Sequence, residues 1–222
     1  MIFFDVDGTL LNHADAEYQA AIQFAAILDF ECADGEAFVT RWREVSELYM
    51  AQFLSGKITF EEQRHMRLQD FLGRKLTRKD AVRIFGEYLS EYEANWRLYD
   101  DVLPCLERLS GPLGIVTNGN REQQVKKLSA TLIEKYFDVI VTSEDVGISK
   151  PNAGIFEAAR SEAAAPVGAC TYVGDQLETD AVGAADAGWR SVWLNRESVP
   201  DHTPREVEVI TSLNQLESHL RY

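Results

Sequence analysis

The sequence has few cysteines, few cationic side chains and no long hydrophobic run. Its three cysteines, Cys32, Cys105 and Cys170, are far apart and form no Cys-x-x-Cys pair. An odd number of widely spaced cysteines argues against a disulfide framework and against a zinc site. We therefore expect free, buried thiols.

Membrane-spanning and targeting segments are also missing from the pattern. No stretch approaches the roughly 20 apolar residues that a transmembrane helix needs. The apolar run at the amino terminus is too short and uncharged for a signal peptide. These absences predict a cytoplasmic protein with no membrane partner.

Positive charge is scarce, since 22 lysines and arginines face 36 acidic residues for a formal net charge of −14. The negative electrostatic field of such a chain disfavours nucleic-acid polymers and anionic membranes as partners. It also repels phosphorylated small molecules at long range. A phosphate site would therefore need local reversal of the field by a metal ion, a lysine or backbone amides.

A helical segment follows the first strand. The 222 residues suffice for one large α/β domain or for a domain with an insertion. From about residue 14 to residue 96, apolar residues recur at helical spacing. Thr59 opens a capping-box pattern, and Thr77 opens an N-cap pattern with an acid in the first turn. We predict roughly four helices here.

The helical segment is rich in aromatic residues, which predicts a packed core. Trp42, Tyr49 and Phe53 could also face a ligand, and this mildly favours a ligand with a flat or apolar part.

The rest of the chain alternates between short β runs and helical stretches. The predicted strands are Ile2–Val6, Leu113–Thr117, Asp138–Thr142, Thr171–Gly174 and Ser191–Leu194. Alternation of this kind implies an α/β fold with a parallel sheet and helices on both faces. Ligands of such sheets bind at the carboxyl ends of the strands.

Asp5 and Asp7 follow the first strand, in the run Asp5-Val6-Asp7-Gly8-Thr9. If the strand stays extended, both side chains point to one face, with Cα atoms roughly 6.6 Å apart. Two carboxylates roughly 4 Å apart would repel by about 4 kcal/mol at an effective dielectric near 20, so we expect a cation between them. Gly8 then permits a sharp turn. The pattern predicts a reaction centre at the strand end.

Polar side chains also follow other predicted strands. Thr117 and Asn118 offer a hydroxyl and an amide, and a helix beginning after Asn120 would present backbone amides to an anion. Thr-Asn-Gly is also a common turn, and a lone lysine such as Lys150 is usually a surface charge. Their shared position at strand ends favours an anion site.

Asp175 directly follows an apolar strand, and Asp180 comes five residues later. Mg²⁺ prefers a few carboxylates, a carbonyl and retained waters, and Asp5 and Asp175 can provide the carboxylates. Glu178 and Asp180 have a second interpretation, because acids in the first turn of a helix offset its dipole.

In chain order, these segments resemble the four motifs of the haloacid dehalogenase-like hydrolase superfamily. The motifs are Asp5-x-Asp7-Gly8-Thr9, Thr117-Asn118, Lys150-Pro151 and Gly174-Asp175-x-x-x-x-Asp180. The resemblance covers essentially the whole chain. It implies a Rossmann-like catalytic core of residues 1–13 and 98–222, with an inserted α-helical cap of residues 14–97.

The resemblance also implies a mechanism. Asp5 would be the nucleophile that forms an aspartyl-phosphate. Asp7 would protonate the departing alkoxide and later deprotonate the attacking water. Mg²⁺ would be held by Asp5, Asp175 and the backbone carbonyl of Asp7.

Further roles follow from the same resemblance. Thr117, Asn118 and Lys150 would hold the remaining phosphate oxygens. Asp180 would support the metal site without contacting the ion, or would act through Lys150. The implied substrate is a small phosphorylated metabolite, such as a nucleoside monophosphate, phosphoglycolate or a sugar phosphate. Among these, pyrimidine-type 5′-nucleotides are one candidate, and a monomer or simple dimer is the default assembly.

Three other functions stay open. A halide-releasing relative would use the first aspartate, but the position of Asp7 is usually not an aspartate in that branch. A phosphosugar mutase would share all four motifs. A non-catalytic module that binds a phosphorylated metabolite would be expected to have degraded motifs, and none is degraded here.

Overall fold

A six-stranded sheet, all of it parallel, runs in the order β3-β2-β1-β4-β5-β6. The computed structural model describes residues 1–28, 35–198, 202–204 and 206–220. The strands are β1 (Ile2–Phe4), β2 (Leu113–Thr117), β3 (Val139–Thr142), β4 (Thr171–Gly174), β5 (Arg190–Leu194) and β6 (Val207–Ile210). The predicted α/β class is confirmed. In this strand order the topological switch point lies between β1 and β4.

The first strand is shorter than predicted, because it ends at Phe4 rather than Val6. The chain then folds back on itself: the backbone amides of Leu10 and Leu11 both donate to the carbonyl of Val6, at 2.9 and 2.8 Å. Asp7 therefore lies in a tight loop, and the extended geometry expected for Asp5 and Asp7 is wrong. The sequence analysis also missed the edge strand β6.

The residues divide into two compact units, one formed by Met1–Asn12 together with the chain from Arg97 onward and the other by His13–Trp96. In the second unit the helices are α1 (His13–Ile27), α2 (Gly35–Leu54), α3 (Phe60–Leu72) and α4 (Arg78–Ala94). The predicted caps are confirmed: Thr59 forms a capping box with Glu62, and Thr77 accepts from the amide of Asp80. No helix in the described ranges is both long and apolar enough to cross a bilayer.

Aromatic rings fill the interior of the helical unit. Trp42 is fully buried and lies 5.2 Å from Phe24 and 4.7 Å from Tyr88 between ring centroids. The guanidinium of Arg67 stacks 4.5 Å from the ring of Trp42. This packing leaves no exposed face of Trp42 for a ligand, so the suggestion that it contacts one is wrong.

The sheet unit places helices around its strands. They are α5 (Val102–Arg108), α6 (Arg121–Ala130), α7 (Ser143–Val146), α8 (Ala153–Glu162), α9 (Gly183–Asp186) and α10 (Leu216–Leu220), with a π-helical turn at Leu177–Val182. Asn120 caps α6, since its side chain accepts from the amide of Gln123. Cys105 and Cys170 are buried free thiols, as expected, and Cys32 lies outside the described residues.

Phe156 belongs to the core between α8 and the sheet. Its ring centroid lies 5.2 Å from that of Tyr172 and 5.5 Å from that of Trp189, and its side chain is fully buried. Contacts of this kind hold the central strands in place, because close-packed interiors leave few voids.

We expect Phe156→Ala to lower the free energy of unfolding by about 3–5 kcal/mol, since it removes buried apolar contacts and leaves a cavity. The measurement is the urea midpoint followed by circular dichroism. Val167→Ala is the control, because Val167 is 85% exposed and should change stability by less than about 0.5 kcal/mol. Similar midpoints for both variants would contradict this assignment of the core.

Candidate active site

The carboxyl ends of β1 and β4 carry a buried network of opposite charges. The Nζ of Lys150 donates to Asp5 Oδ1 at 2.8 Å and to Asp180 Oδ1 at 2.6 Å. The Lys150 side chain is only 2% exposed, and the side chains of Asp5 and Asp180 are 8% and 1% exposed. Lysine is almost never buried without a partner, so these two ion pairs account for its position.

Tyr172 and Asn118 hold Lys150 in place. The Tyr172 hydroxyl accepts a bond from Lys150 Nζ at 2.8 Å and donates to the carbonyl of Val116 at 2.7 Å. Asn118 Oδ1 accepts from the backbone amide of Lys150 at 2.8 Å, while its Nδ2 donates to the carbonyl of Lys150 at 3.1 Å. The side-chain amide of Asn118 thus joins the end of β2 to the Lys150 loop, and its predicted contact with substrate stays a prediction.

Three carboxylates lie together at this edge of the sheet. One ligand oxygen from each of Asp5, Asp175 and Asp180 lies within 4.8 Å of the others. Burial raises the pKa of Asp5 to about 7, with Asp180 and Asp175 adding to the rise and Lys150 opposing it. Burial and the charge of Asp180 raise the pKa of Asp175 to about 6.

The pKa of Lys150 is raised above its ordinary value. Burial alone would lower it, but the charges of Asp180 and Asp5 outweigh that effect. Lys150 pairs with two of the three acidic groups, so the cluster of three has an excess of negative charge when all are ionised. Oxygen ligands with excess negative charge suit a hard divalent cation, and the described residues thus fit a metal site.

The backbone around Asp175 is shaped for close approach. Gly8 has a φ of +85°, and a Cβ at this position would overlap the Asp175 carboxylate. Thr9 Oγ1 donates to Asp175 Oδ1 at 3.2 Å, and Trp193 Nε1 donates to the Asp175 carbonyl at 2.8 Å. Glycine at position 8 is therefore needed both for the turn and for the space beside Asp175.

Asp7 has a separate environment. Lys127 Nζ donates to Asp7 Oδ1 at 2.7 Å and to Oδ2 at 2.6 Å, and Gln124 Nε2 donates to Oδ2 at 3.0 Å. Asp5 and Asp7 are thus paired with different lysines. The tight loop after β1 gives the two carboxylates different hydrogen-bond partners.

The remaining predicted residues lie at the same edge. Thr117 is buried at the end of β2. Asp180 lies in the first turn of the π-helical segment, and its carboxylate accepts from the backbone amide of the N-cap residue Gln176 at 3.0 Å as well as from Lys150. Glu178 is exposed.

Sequence reasoning missed Lys127, Gln124 and Tyr172. On α6 the core-facing positions are Gln124, Lys127 and Leu128. A lysine and a glutamine at positions where an amphipathic helix should be apolar are the signal that could have identified them. No comparable signal marks Tyr172, since a tyrosine in a buried strand is ordinary.

A doubly wound sheet with carboxylates and a buried lysine at its switch point is the arrangement of an α/β protein that binds its ligand at the ends of the strands. A family profile described as haloacid dehalogenase-like hydrolase matches residues 1–188. The chain therefore belongs to the haloacid dehalogenase-like hydrolases.

Individual relatives agree with this assignment. The chain is 28% identical to the pyrimidine 5′-nucleotidase YjjG of Escherichia coli (strain K12) over 225 residues, covering 99% of this chain and 96% of that protein. It is 32% identical to the glyceraldehyde 3-phosphate phosphatase of Methanopyrus kandleri over 217 residues, covering 92% and 87%. The chain also shares its fold with the solved structure of the putative HAD-hydrolase YfnB from Bacillus subtilis, with a TM-score of 0.80 at 24% identity over 100% of this chain and 98% of that one.

The pH dependence of stability tests the crowding of carboxyls. Because the pKa values of Asp5 and Asp175 are higher in the folded protein than the ordinary 3.8, the folded state keeps protons that the unfolded chain releases. This contribution to stability is lost as the pH rises from about 4 to about 7. In chelator, we expect the unfolding temperature to fall less between about pH 5 and about pH 7.5 in Asp175→Asn than in the wild type.

Glu178→Gln is the matched control for that measurement, because it removes an exposed carboxyl two residues before Asp180. It should keep the wild-type pH dependence. If Asp175→Asn also keeps it, Asp175 is not protonated in the folded, metal-free protein.

Proposed function

We propose that this hydrolase releases phosphate from a small phosphorylated metabolite, with Asp5 as nucleophile and Mg²⁺ as cofactor. The observation that carries the proposal is the buried Lys150 ammonium, which binds Asp5 at the edge that also carries Asp175. This lysine places positive charge beside a potential nucleophile in a chain whose net charge is −14. It offsets part of the negative charge at this edge, and a bound Mg²⁺ would complete the local reversal of charge that an anionic substrate requires.

Phosphoryl transfer needs mainly alignment and charge neutralisation. In the proposed first step, the Asp5 carboxylate attacks phosphorus, and the P–O bond to the leaving alcohol breaks as that oxygen takes a proton from Asp7. In the second step, water attacks the aspartyl-phosphate and gives its proton to Asp7. Inorganic phosphate leaves, and Asp5 is regenerated.

The surrounding residues have supporting roles. Lys150 would offset the charge of the phosphoryl oxygens, and the Thr117 hydroxyl would donate to one of them. When bound, Mg²⁺ would be held by Asp5, Asp175 and the carbonyl of Asp7, and it would also offset phosphoryl charge. Asp180 would keep Lys150 oriented through the 2.6 Å ion pair.

The relatives support a small phosphomonoester as substrate. Their names specify a pyrimidine nucleotide, glyceraldehyde 3-phosphate and, for a human protein 27% identical over 209 residues, N-acylneuraminate 9-phosphate. We propose pyrimidine nucleoside 5′-monophosphates as the first candidates, because the nucleotidase aligns over nearly the full length of both chains.

A screen of phosphomonoesters tests the reaction class and the metal together. We expect phosphate release from pyrimidine 5′-monophosphates with Mg²⁺, and a fall of about tenfold or more in chelator. Glyceraldehyde 3-phosphate and N-acylneuraminate 9-phosphate are assayed as alternative substrates. A 2-haloacid serves as a control that should release no halide. The 2-haloacid is included because a solved 2-haloacid dehalogenase also matches, with a TM-score of 0.72 at 26% identity. Halide release without phosphate release would reject the proposal.

Asp5→Asn tests the nucleophile. We expect kcat to fall by about a thousandfold or more, because the amide cannot form the aspartyl-phosphate. Circular dichroism and the unfolding temperature check that the variant is folded. Asp186→Asn, at an exposed position on α9, is the matched control and should keep wild-type kinetics. Activity of Asp5→Asn within about tenfold of the wild type would show that another group attacks phosphorus.

A further inference from the structure

We propose that Lys127, together with Gln124, is a positioning residue that fixes the carboxyl group of Asp7 against the leaving-group oxygen. This inference rests on the proposed function, because it concerns the residue that would exchange protons with substrate and water. Neither Lys127 nor Gln124 lies in the four motifs of the resemblance.

Lys127 contacts the Asp7 carboxylate from its buried side. Lys127 is 2% exposed, whereas the side chain of Asp7 is 24% exposed. The ammonium thus lies on the protein side of the carboxylate, and the carboxylate faces the open side. Lys127 is placed to act through Asp7 rather than to contact a substrate.

Three hydrogen bonds determine the orientation of the carboxylate. Lys127 contacts both of its oxygens, at 2.7 and 2.6 Å, and Gln124 contacts Oδ2 at 3.0 Å. Bonds to both oxygens fix rotation about the last side-chain torsion, which is otherwise broad in aspartate. A misplacement of about 1 Å at such a group can cost about a hundredfold in rate.

Helix α6 links this support to the rest of the site. Gln124 Nε2 also approaches the carbonyl of Asn118, at 3.4 Å, and Asn118 holds the Lys150 loop. The same helix begins at the edge beside Asn118 and holds Asp7 from positions 124 and 127, both of which face the core. Helix α6 thereby fixes the position of Asp7 relative to the Lys150 loop.

The experiment compares two esters in kcat/KM, which reports the steps up to transfer of the phosphoryl group. A pyrimidine 5′-monophosphate has a basic alkoxide leaving group that needs a proton, whereas p-nitrophenyl phosphate has a weakly basic one that does not. We expect Lys127→Met to lower kcat/KM about tenfold or more for the nucleotide and less than about threefold for the aryl ester. Asp7→Asn should show the same selectivity, and adding Lys127→Met to it should cause no further selective loss.

Lys126→Met is the matched control, since it removes a neighbouring lysine that is exposed, and it should keep wild-type values for both esters. Equal losses for the two esters in Lys127→Met, or no loss, would overturn the inference, because a merely structural role does not distinguish leaving groups. If Lys127→Met does not fold, Gln124→Leu decides by the same comparison, with an expected loss of about threefold for the nucleotide alone. If the wild type and Lys126→Met hydrolyse neither ester, the proposed function itself is rejected.

Discussion

The ion pairs of Lys150 are the interaction on which the candidate site depends. One buried ammonium binds carboxylates from two different strand ends, Asp5 after β1 and Asp180 after β4. Without that charge, three carboxyl groups whose oxygens lie within 4.8 Å would face one another in a buried setting, and removing one partner of a buried pair is strongly destabilising. Lys150 can balance two acids only if its position is fixed. Its hydrogen bonds with Tyr172 and Asn118 fix that position.

Most of the fold and several of the site contacts could be predicted because their signals are local. β-Branched runs marked five of the six strands, and Thr59, Thr77 and Asn120 marked helix starts that the structure confirms. Parallel strands bring their carboxyl ends to one edge, so the position of Asp5 near Lys150 and Asp175 followed from topology. The edge strand β6 was missed because its short Val-Glu-Val-Ile run has no strong boundary signal.

The errors came from features that depend on tertiary structure. Asp5 and Asp7 were expected on one face of a strand, but the hydrogen bonds to Val6 close a loop that no single residue of the motif specifies. Lys127 was overlooked because a lysine in a helix is usually solvated, and only the docking of α6 makes its position buried. Trp42 was considered for ligand contact, although its side chain is fully buried among aromatic rings and Arg67 in the helical unit.

The separation of Asp5 and Asp7 suggests how two aspartates two residues apart could do different chemistry. Asp5 is buried beside two further acids, and burial together with Asp180 and Asp175 raises its pKa to about 7 although Lys150 opposes the rise. A divalent cation held at this cluster would add positive charge beside Asp5 and favour its ionised form, which the proposed nucleophilic role requires. Asp7 is more exposed and pairs with a different lysine, Lys127. A chain with a net charge of −14 thus gives each of the two acids a separate buried cation, and the tight loop after β1 is what allows that division.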